Sequence, residues 1–389
     1  MLCSGAGKSK SKLTRYRYLI LPGDVEHMSS PTTATLDTPC LVVDAEKIER
    51  NLRDMASFAK DASVKLTPHS KTHKCPDLAL MQISYGAAGI CTQKVSEAEV
   101  MAENGIKRIL ISNEIIGLEK LRRLANLSKR VDLRVCVDSP DGINQLSEAA
   151  KEADVRIKCL IDVECGYLRT GVTATVAAQL AKQIAETRTL ILQGVHGYEG
   201  QVGSYPLRQR PRVVKHAMNM TLKAKGEIEE NGLPVEDVVV GGTPSAKMSG
   251  RYPGITEITP GEYIFYDYAN VTQGLVPVAD CALSVRSTVM SRPVPDRAVT
   301  DGGLKTFGFA DAKFPHVKDE SLHARVTRLS EEHGILKLGK GGMGVKIGDI
   351  LEFVPYRAGP CVNLHDRIYL TRNGRLEKVL PVLGRGKTT

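Results

Sequence analysis

The chain has no tryptophan, and aromatic residues make up only 5% of its 389 positions. No long basic stripe interleaved with aromatics occurs, which argues against nucleic acid as a partner. No run approaches 18 uninterrupted apolar residues, so a membrane-spanning helix is excluded. Nine cysteines are present, but there is no CxxC pair and no Cys/His cluster at zinc spacing. Cys91, Cys136 and Cys159 lie in apolar runs, where a reduced, buried thiol is the usual occupant. That usage favours a reducing compartment. With 35 glycines and 19 prolines, the chain is neither fibrous nor low-complexity.

What remains is the composition of a globular protein, 42% hydrophobic and 25% charged. Fifty-three Lys and Arg against 44 Asp and Glu leave a modest net charge of +9. A basic enzyme with an anionic cofactor or substrate fits this balance. The length suits two ordinary domains, or one barrel with an appendage. Residues 1–36 read as a basic extension, with Lys8, Lys10, Lys12, Arg15 and Arg17 and no acid before Asp24. A transit peptide and a flexible extension both fit it. The expected location is cytoplasmic, or mitochondrial if the extension is a transit peptide. Gly5-Ala6-Gly7-Lys8-Ser9 resembles the end of a P-loop, but the earlier glycine it requires is absent and no strand precedes it.

From residue 37 short apolar runs alternate with amphipathic helical segments. The runs are 64–69, 88–92, 108–112, 132–137, 156–163, 190–195, 237–240 and 255–259. Helical patterns between them include 95–104, 118–127, 142–153 and 174–187. Such alternation indicates a parallel sheet covered by helices. Eight units in about 220 residues predict an α/β fold, a (β/α)8 TIM barrel over 37–275. A doubly wound open sheet is the alternative. After Tyr268 the runs become short and alternating, at 279–291, 298–300, 324–328, 335–338, 349–354 and 367–371. This predicts a C-terminal β domain over 276–389, with strand 37–45 as a candidate partner.

Barrel enzymes carry their chemistry at the C-terminal ends of the strands. Reading past each run gives His69-Ser70-Lys71-Thr72-His73-Lys74, Thr92-Gln93-Lys94, Ser112-Asn113-Glu114 and Asp138-Ser139. It continues with Glu164, Tyr167 and Arg169, then His196, Tyr198 and Gln201. The last two units contribute Gly241-Gly242-Thr243-Pro244-Ser245 and Pro260-Gly261-Glu262-Tyr263. A lysine at the mouth of a buried strand is costly unless paired or used. Desolvation lowers its pKa, which suits Schiff-base chemistry. Lys71 and Lys74 are rivals for that role. The Gly-Gly-Thr-Pro-Ser loop and Gly261 suit phosphate binding after strands seven and eight. Arg169 suits an anion or a ring nitrogen, and Tyr198 a hydrogen-bond donor or general acid. Lysine and phosphate cradle together point to pyridoxal phosphate.

The chain resembles the D-threonine aldolase / D-serine dehydratase group of fold-type III pyridoxal phosphate enzymes, which share their fold with alanine racemase. The resemblance spans about 37–386 and rests on ordered motifs. They include Leu36-Asp37-Thr38-Pro39, Pro68-His69-Ser70-Lys71-Thr72-His73-Lys74-Cys75-Pro76 and Cys91-Thr92-Gln93-Lys94-Val95-Ser96-Glu97-Ala98. Later come the Gly241–Ser245 loop, Asp301-Gly302-Gly303-Leu304-Lys305 and Asn363-Leu364-His365-Asp366. The resemblance implies that Lys71 forms the Schiff base. It implies that His69, Gln93, Arg169 and Tyr198 surround the cofactor ring. Gly242, Thr243, Ser245, Gly261 and the main chain of Glu262 would hold the phosphate. It also implies a homodimer and a small amino-acid substrate.

One departure stands out. The family carries a divalent metal on a His-x-Cys or His-x-Asp pair. In the matching segment, Pro355-Tyr356-Arg357-Ala358-Gly359-Pro360-Cys361-Val362-Asn363-Leu364, those positions hold Arg357 and Gly359. A guanidinium repels a cation and keeps its proton, and glycine has no ligand atom. The expectation is a metal-independent, pyridoxal phosphate-dependent lyase. It would act on a D-configured or Cα-substituted β-hydroxy amino acid by aldol cleavage or β-elimination. Lys71, Tyr198 and Arg357 are the catalytic candidates, with Arg357 binding an anionic group of the substrate in place of the metal. A racemase, or a carrier of the cofactor without catalysis, are the alternatives.

Overall fold

A computed structural model describes residues 32–389. The basic stretch Lys8–Arg17, the Gly5–Ser9 string and Cys3 lie outside the described residues. The eight remaining cysteines are free and buried. No described helix is long and apolar enough to cross a membrane.

Strand β1 (Cys40–Asp44) comes first, followed by the helix Ala45–Asp61. Asp44 caps that helix by accepting from the Lys47 amide at 3.1 Å. Eight parallel strands follow, each with helices after it. They are β2 (Lys65–Leu66), β3 (Ile90–Thr92), β4 (Arg108–Glu114), β5 (Asp132–Val137), β6 (Ile157–Asp162), β7 (Leu190–Gly197), β8 (Asp237–Val240) and β9 (Glu257–Ile258). Each falls within or upon one of the eight predicted runs. Their order in the sheet is β2-β9-β8-β7-β6-β5-β4-β3. The circle closes between β2 and β3, where Ala88 N–H donates to Leu66 O at 2.8 Å and Cys91 N–H to Pro68 O at 2.9 Å. The architecture is a TIM-like barrel, not an open sheet.

Side chains alternate in direction along a strand, so every second residue enters the lumen. The lumen is consequently layered. Its middle layer is apolar, with Cys91, Leu110, Cys136, Leu160 and Val239 all buried. Two residues earlier on β5 and β8 stand Arg134 and Asp237, which with Glu257 fill the bottom. Arg134 Nη1 donates to Asp237 and to Glu257 at 2.8 Å each, and Nη2 to Glu257 at 2.6 Å. Two residues later come the polar groups of the upper mouth, Gln93, Ser112 and Asp162.

The remaining strands are β10 (Leu283–Val294), β11 (Arg297–Thr300), β12 (His316–Val317), β13 (Arg325–Leu329), β14 (Gly334–Lys337), β15 (Ile350–Val354), β16 (Arg367–Arg372) and β17 (Arg375–Pro381). They form a mixed sheet ordered β13-β14-β11-β10-β1-β16-β17, with β15 also on β10 and β12 on β15. β1 lies inside this sheet, antiparallel to β10 and parallel to β16. Strands β12 and β17 were not expected. β12 is two residues long, and β17 is mostly exposed and charged, so neither shows an apolar period.

The charged bottom layer gives a stability prediction. Asp237 and Glu257 are almost wholly shielded from water. Replacing their buried partner, Arg134→Met, should cost about 3 kcal/mol, because two buried carboxylates lose the cation they share and keep only Lys65 at 3.0 Å and Arg108 at 3.5 Å. Chemical denaturation measures it; a change near zero would contradict the arrangement.

Candidate active site

The turn Ser70–Thr72 follows β2 and carries Lys71 into the barrel mouth. The Ser70 hydroxyl anchors it by donating to Cys91 O at 3.0 Å. His69 Nδ1 accepts from the Lys71 amide at 3.3 Å. His69 Nε2 lies 3.1 Å from Gln93 Oε1, and Gln93 Nε2 donates to Ser112 O at 3.2 Å. The end of β2 is thereby tied to β3 and β4. Burial, then the Lys71 charge, push the His69 pKa well down, so the ring is neutral.

Lys71 opens onto a cavity of about 760 Å³. Its side chain is exposed to that space, yet protein surrounds it on every other side. Desolvation lowers its pKa, and the nearby Arg169 charge acts in the same direction. Lys71 Nζ sits 5.6 Å from the centre of the Tyr198 ring. The Arg169 guanidinium lies 5.1 Å from the rings of both Tyr167 and Tyr198, which meet edge to face. Burial raises the Tyr198 pKa, so its phenol keeps its proton.

Lys74, the rival lysine, does not line this cavity. Its Nζ is 3.1 Å from Glu97 and 2.9 Å from the Asn363 carbonyl. It holds the turn together from behind.

Across from Lys71, the loop after β8 turns sharply. The Ser245 hydroxyl accepts from the Gly242 amide at 3.1 Å and closes the turn on itself. Thr243 Oγ1 accepts from the Tyr263 amide at 3.1 Å, which leaves its own proton to donate. The amides of Thr243, Gly261 and Glu262 donate to no described residue. Gly261 is packed against the Lys71 turn: a Cβ there would lie 2.8 Å from His69 O and 2.9 Å from Thr72 Oγ1. Free amides and a hydroxyl facing one cavity form a cradle for an anion.

The β domain supplies a further wall. Arg357 Nη1 donates to Glu262 at 2.9 Å, and its Nε is 3.4 Å from Asp311. Burial disfavours its charge, but Glu262, Asp267 and Asp311 outweigh that and raise its pKa. Lys71, His69, Gln93, Arg169, Tyr198, Gly242, Thr243, Ser245, Gly261, Glu262 and Arg357 all line the one cavity.

Comparison with known proteins accounts for this arrangement. Residues 43–269 match the family model of the alanine racemase N-terminal domain, and residues 282–371 that of a serine dehydratase domain. D-threonine aldolase of Arthrobacter sp. is 37% identical over 360 residues, covering 91% of this chain and 94% of that protein. The chain belongs to the D-threonine aldolase / D-serine dehydratase family of fold-type III pyridoxal phosphate enzymes. A second member, 3-hydroxy-D-aspartate aldolase of Paracoccus denitrificans, is 33% identical, covering 94% of this chain and 96% of its own. The crystal structure of D-threonine aldolase from Filomicrobium marinum superposes with a TM-score of 0.88 at 35% identity, covering 92% of this chain and 97% of that one. The family uses pyridoxal phosphate, and the donor set here fits it. The cradle suits its phosphate, the Lys71 amine its aldehyde, and Tyr198 with Arg169 its ring.

Some participants were not singled out from sequence. Glu199 is buried and accepts from the Gly241 amide at 2.9 Å and from the Ser249 hydroxyl, fixing the cradle from beneath. Asp311 comes from a β-domain loop with no motif to mark it. Asp162 accepts from Thr170 Oγ1 at 2.8 Å and meets His196 Nδ1 at 2.7 Å. Burial alone would raise the Asp162 pKa, but His196 and Thr170 hold it down. The neighbouring Glu114 keeps the proton instead: burial, then the Asp162 charge, push its pKa up to about 7.

That shift fixes a pH dependence. Below the ordinary carboxylate pKa Glu114 is protonated in both folded and unfolded chains and contributes nothing. As pH rises to 7 the unfolded chain loses that proton first, so Glu114 increasingly destabilises the fold. Glu114→Gln should therefore stabilise the protein by roughly 1 kcal/mol or more above pH 7 and leave it unchanged near pH 4. Unfolding curves across pH measure the difference; one that does not vary with pH would contradict it.

Proposed function

We propose that the protein is a pyridoxal phosphate-dependent lyase that acts on β-hydroxy D-amino acids, by aldol cleavage or β-elimination, without a divalent metal. The observation that carries this reading is Lys71, the one lysine lining the cavity among the described residues, set opposite the free amides of Thr243, Gly261 and Glu262.

Pyridoxal phosphate, when bound, supplies an electron sink for charge left at Cα once a bond there breaks. The chain's own groups do the rest. Lys71, whose pKa burial lowers, gives up its proton more readily than an exposed lysine and offers its Nζ to attack a carbonyl and to carry the Cα proton. His69, neutral and fixed by Gln93, orients the Lys71 turn. Tyr198 keeps its phenolic proton and packs against Arg169, so one face of the cavity is both aromatic and cationic. Arg357 presents N–H donors to the substrate's β-oxygen, and the Glu262 carboxylate bonded to it is placed to take the β-hydroxyl proton. In cleavage that proton leaves oxygen, the Cα–Cβ electron pair moves to Cα, the aldehyde departs, and Cα is reprotonated.

Metal independence rests on this chain's side chains. Arg357 carries no lone pair for a cation and is already held by Glu262 and Asp311. Gly359 has no donor atom.

The test is a panel of D- and L-β-hydroxy amino acids with and without chelator. Aldehyde with glycine, or keto acid with ammonia, should form from the D isomers alone and at a rate the chelator leaves unchanged. Racemisation without cleavage would contradict the lyase, and activity lost to chelator and restored by metal would contradict the metal-free site.

A further inference from the structure

A second pocket, of about 380 Å³, lies behind Arg357. Lys71, Thr72, Glu262 and Arg357 line both spaces. The Arg357–Glu262 pair thus borders both spaces.

This second space depends on Gly359. A Cβ built there would lie 3.4 Å from Lys71 O and 3.8 Å from Thr72 Cα, ordinary contact distances. A methyl fits; a longer side chain would extend into the pocket beside the Lys71 turn. The volume is within the range of small-molecule sites and far exceeds a methyl group.

The charges on its walls are already matched. Arg357 pairs with Glu262 at 2.9 Å and lies 3.4 Å from Asp311, and Lys74 pairs with Glu97 at 3.1 Å. Apart from Lys71, whose amine does the chemistry, a substrate carboxylate entering here would lose hydration and find no cation without a partner. An uncharged group loses less, and Arg357 Nη2 donates to no described residue, which leaves it to bind a neutral oxygen.

We propose that this pocket receives the β-substituent of the substrate, and that it selects substituents that are uncharged and larger than methyl, with Gly359 as the specificity-determining residue. The inference rests on the lyase reading above.

The experiment compares kcat/KM for D-serine and for D-β-hydroxy amino acids bearing methyl, phenyl or carboxylate at Cβ, in the full chain, Gly359→Ala and Gly359→Leu. The wild type should favour phenyl over carboxylate by about tenfold or more. Gly359→Leu should lower the phenyl substrate by a similar factor and leave D-serine and Gly359→Ala near the wild-type values. A wild type that prefers the carboxylate, or a Leu variant that slows D-serine and the phenyl substrate equally, would overturn the proposal. A binding arm separates this from the lyase reading. Saturation-transfer NMR with benzyl alcohol and glycolate should show benzyl alcohol on the wild type and not on Gly359→Leu, with no glycolate signal. If nothing is turned over, the lyase reading fails, and the NMR still decides the pocket. Benzyl alcohol lost in the Leu variant supports it, and equal signals from both proteins reject it.

Discussion

Lys74 and Glu97 form an ion pair with side chains only 12% and 4% exposed, and three separate stretches of chain meet on it. Lys74 belongs to the turn that carries Lys71. Glu97 stands in the first turn of the helix Val95–Glu103, and its other oxygen accepts from the amides of Gln93 and Lys94 at 2.9 and 3.1 Å. Asn363, which accepts from Lys74 Nζ, closes the segment that bears Arg357 and Gly359. The C-terminal stretch adds to the same node, with Gly384 N–H donating to Lys74 O at 2.9 Å and Gly386 N–H to Asn363 at 3.0 Å. A low-dielectric pair of this kind is expensive to break. It therefore fixes Lys71, Gln93 and Arg357 relative to one another, although they lie on two strand ends and a distant loop.

The barrel lumen separates two kinds of charge. At the bottom Arg134 is neutralised by Asp237 and Glu257 and does no more than hold strands together. At the top Lys71 and Arg169 face open space, without a carboxylate bonded to either among the described residues. The apolar layer of Cys91, Leu110, Cys136, Leu160 and Val239 keeps these layers apart. Arg169 and Lys71 are therefore left without a bonded carboxylate, which a phosphate and an amino-acid carboxylate would supply.

Much of this was legible in the sequence because barrel strands are buried on both faces. Runs such as Asp132–Val137 and Asp237–Val240 announce themselves without any partner in view. Once the runs are placed, chemistry at their C-terminal ends follows from the barrel itself, and that rule reached Lys71, Gln93, Arg169, Tyr198 and the Gly241–Ser245 loop. It could not choose between Lys71 and Lys74, three residues apart in one turn. Only the backbone path, with Lys74 at φ +49°, shows one amine facing the cavity and the other turned toward Glu97. Nor could it find Asp311 or Glu199, whose parts depend on contacts between segments far apart in the chain. The edge strand β17 escaped because its Arg, Glu and Lys side chains face water and leave no apolar period to read.

The account turns on Lys71 as the residue that holds the cofactor. The protein, incubated with pyridoxal phosphate, reduced with borohydride and digested, can be mapped by mass spectrometry. The account predicts one stoichiometric pyridoxyl adduct, on Lys71. An adduct on Lys74, or a protein that binds pyridoxal phosphate with no adduct in this turn, would contradict it.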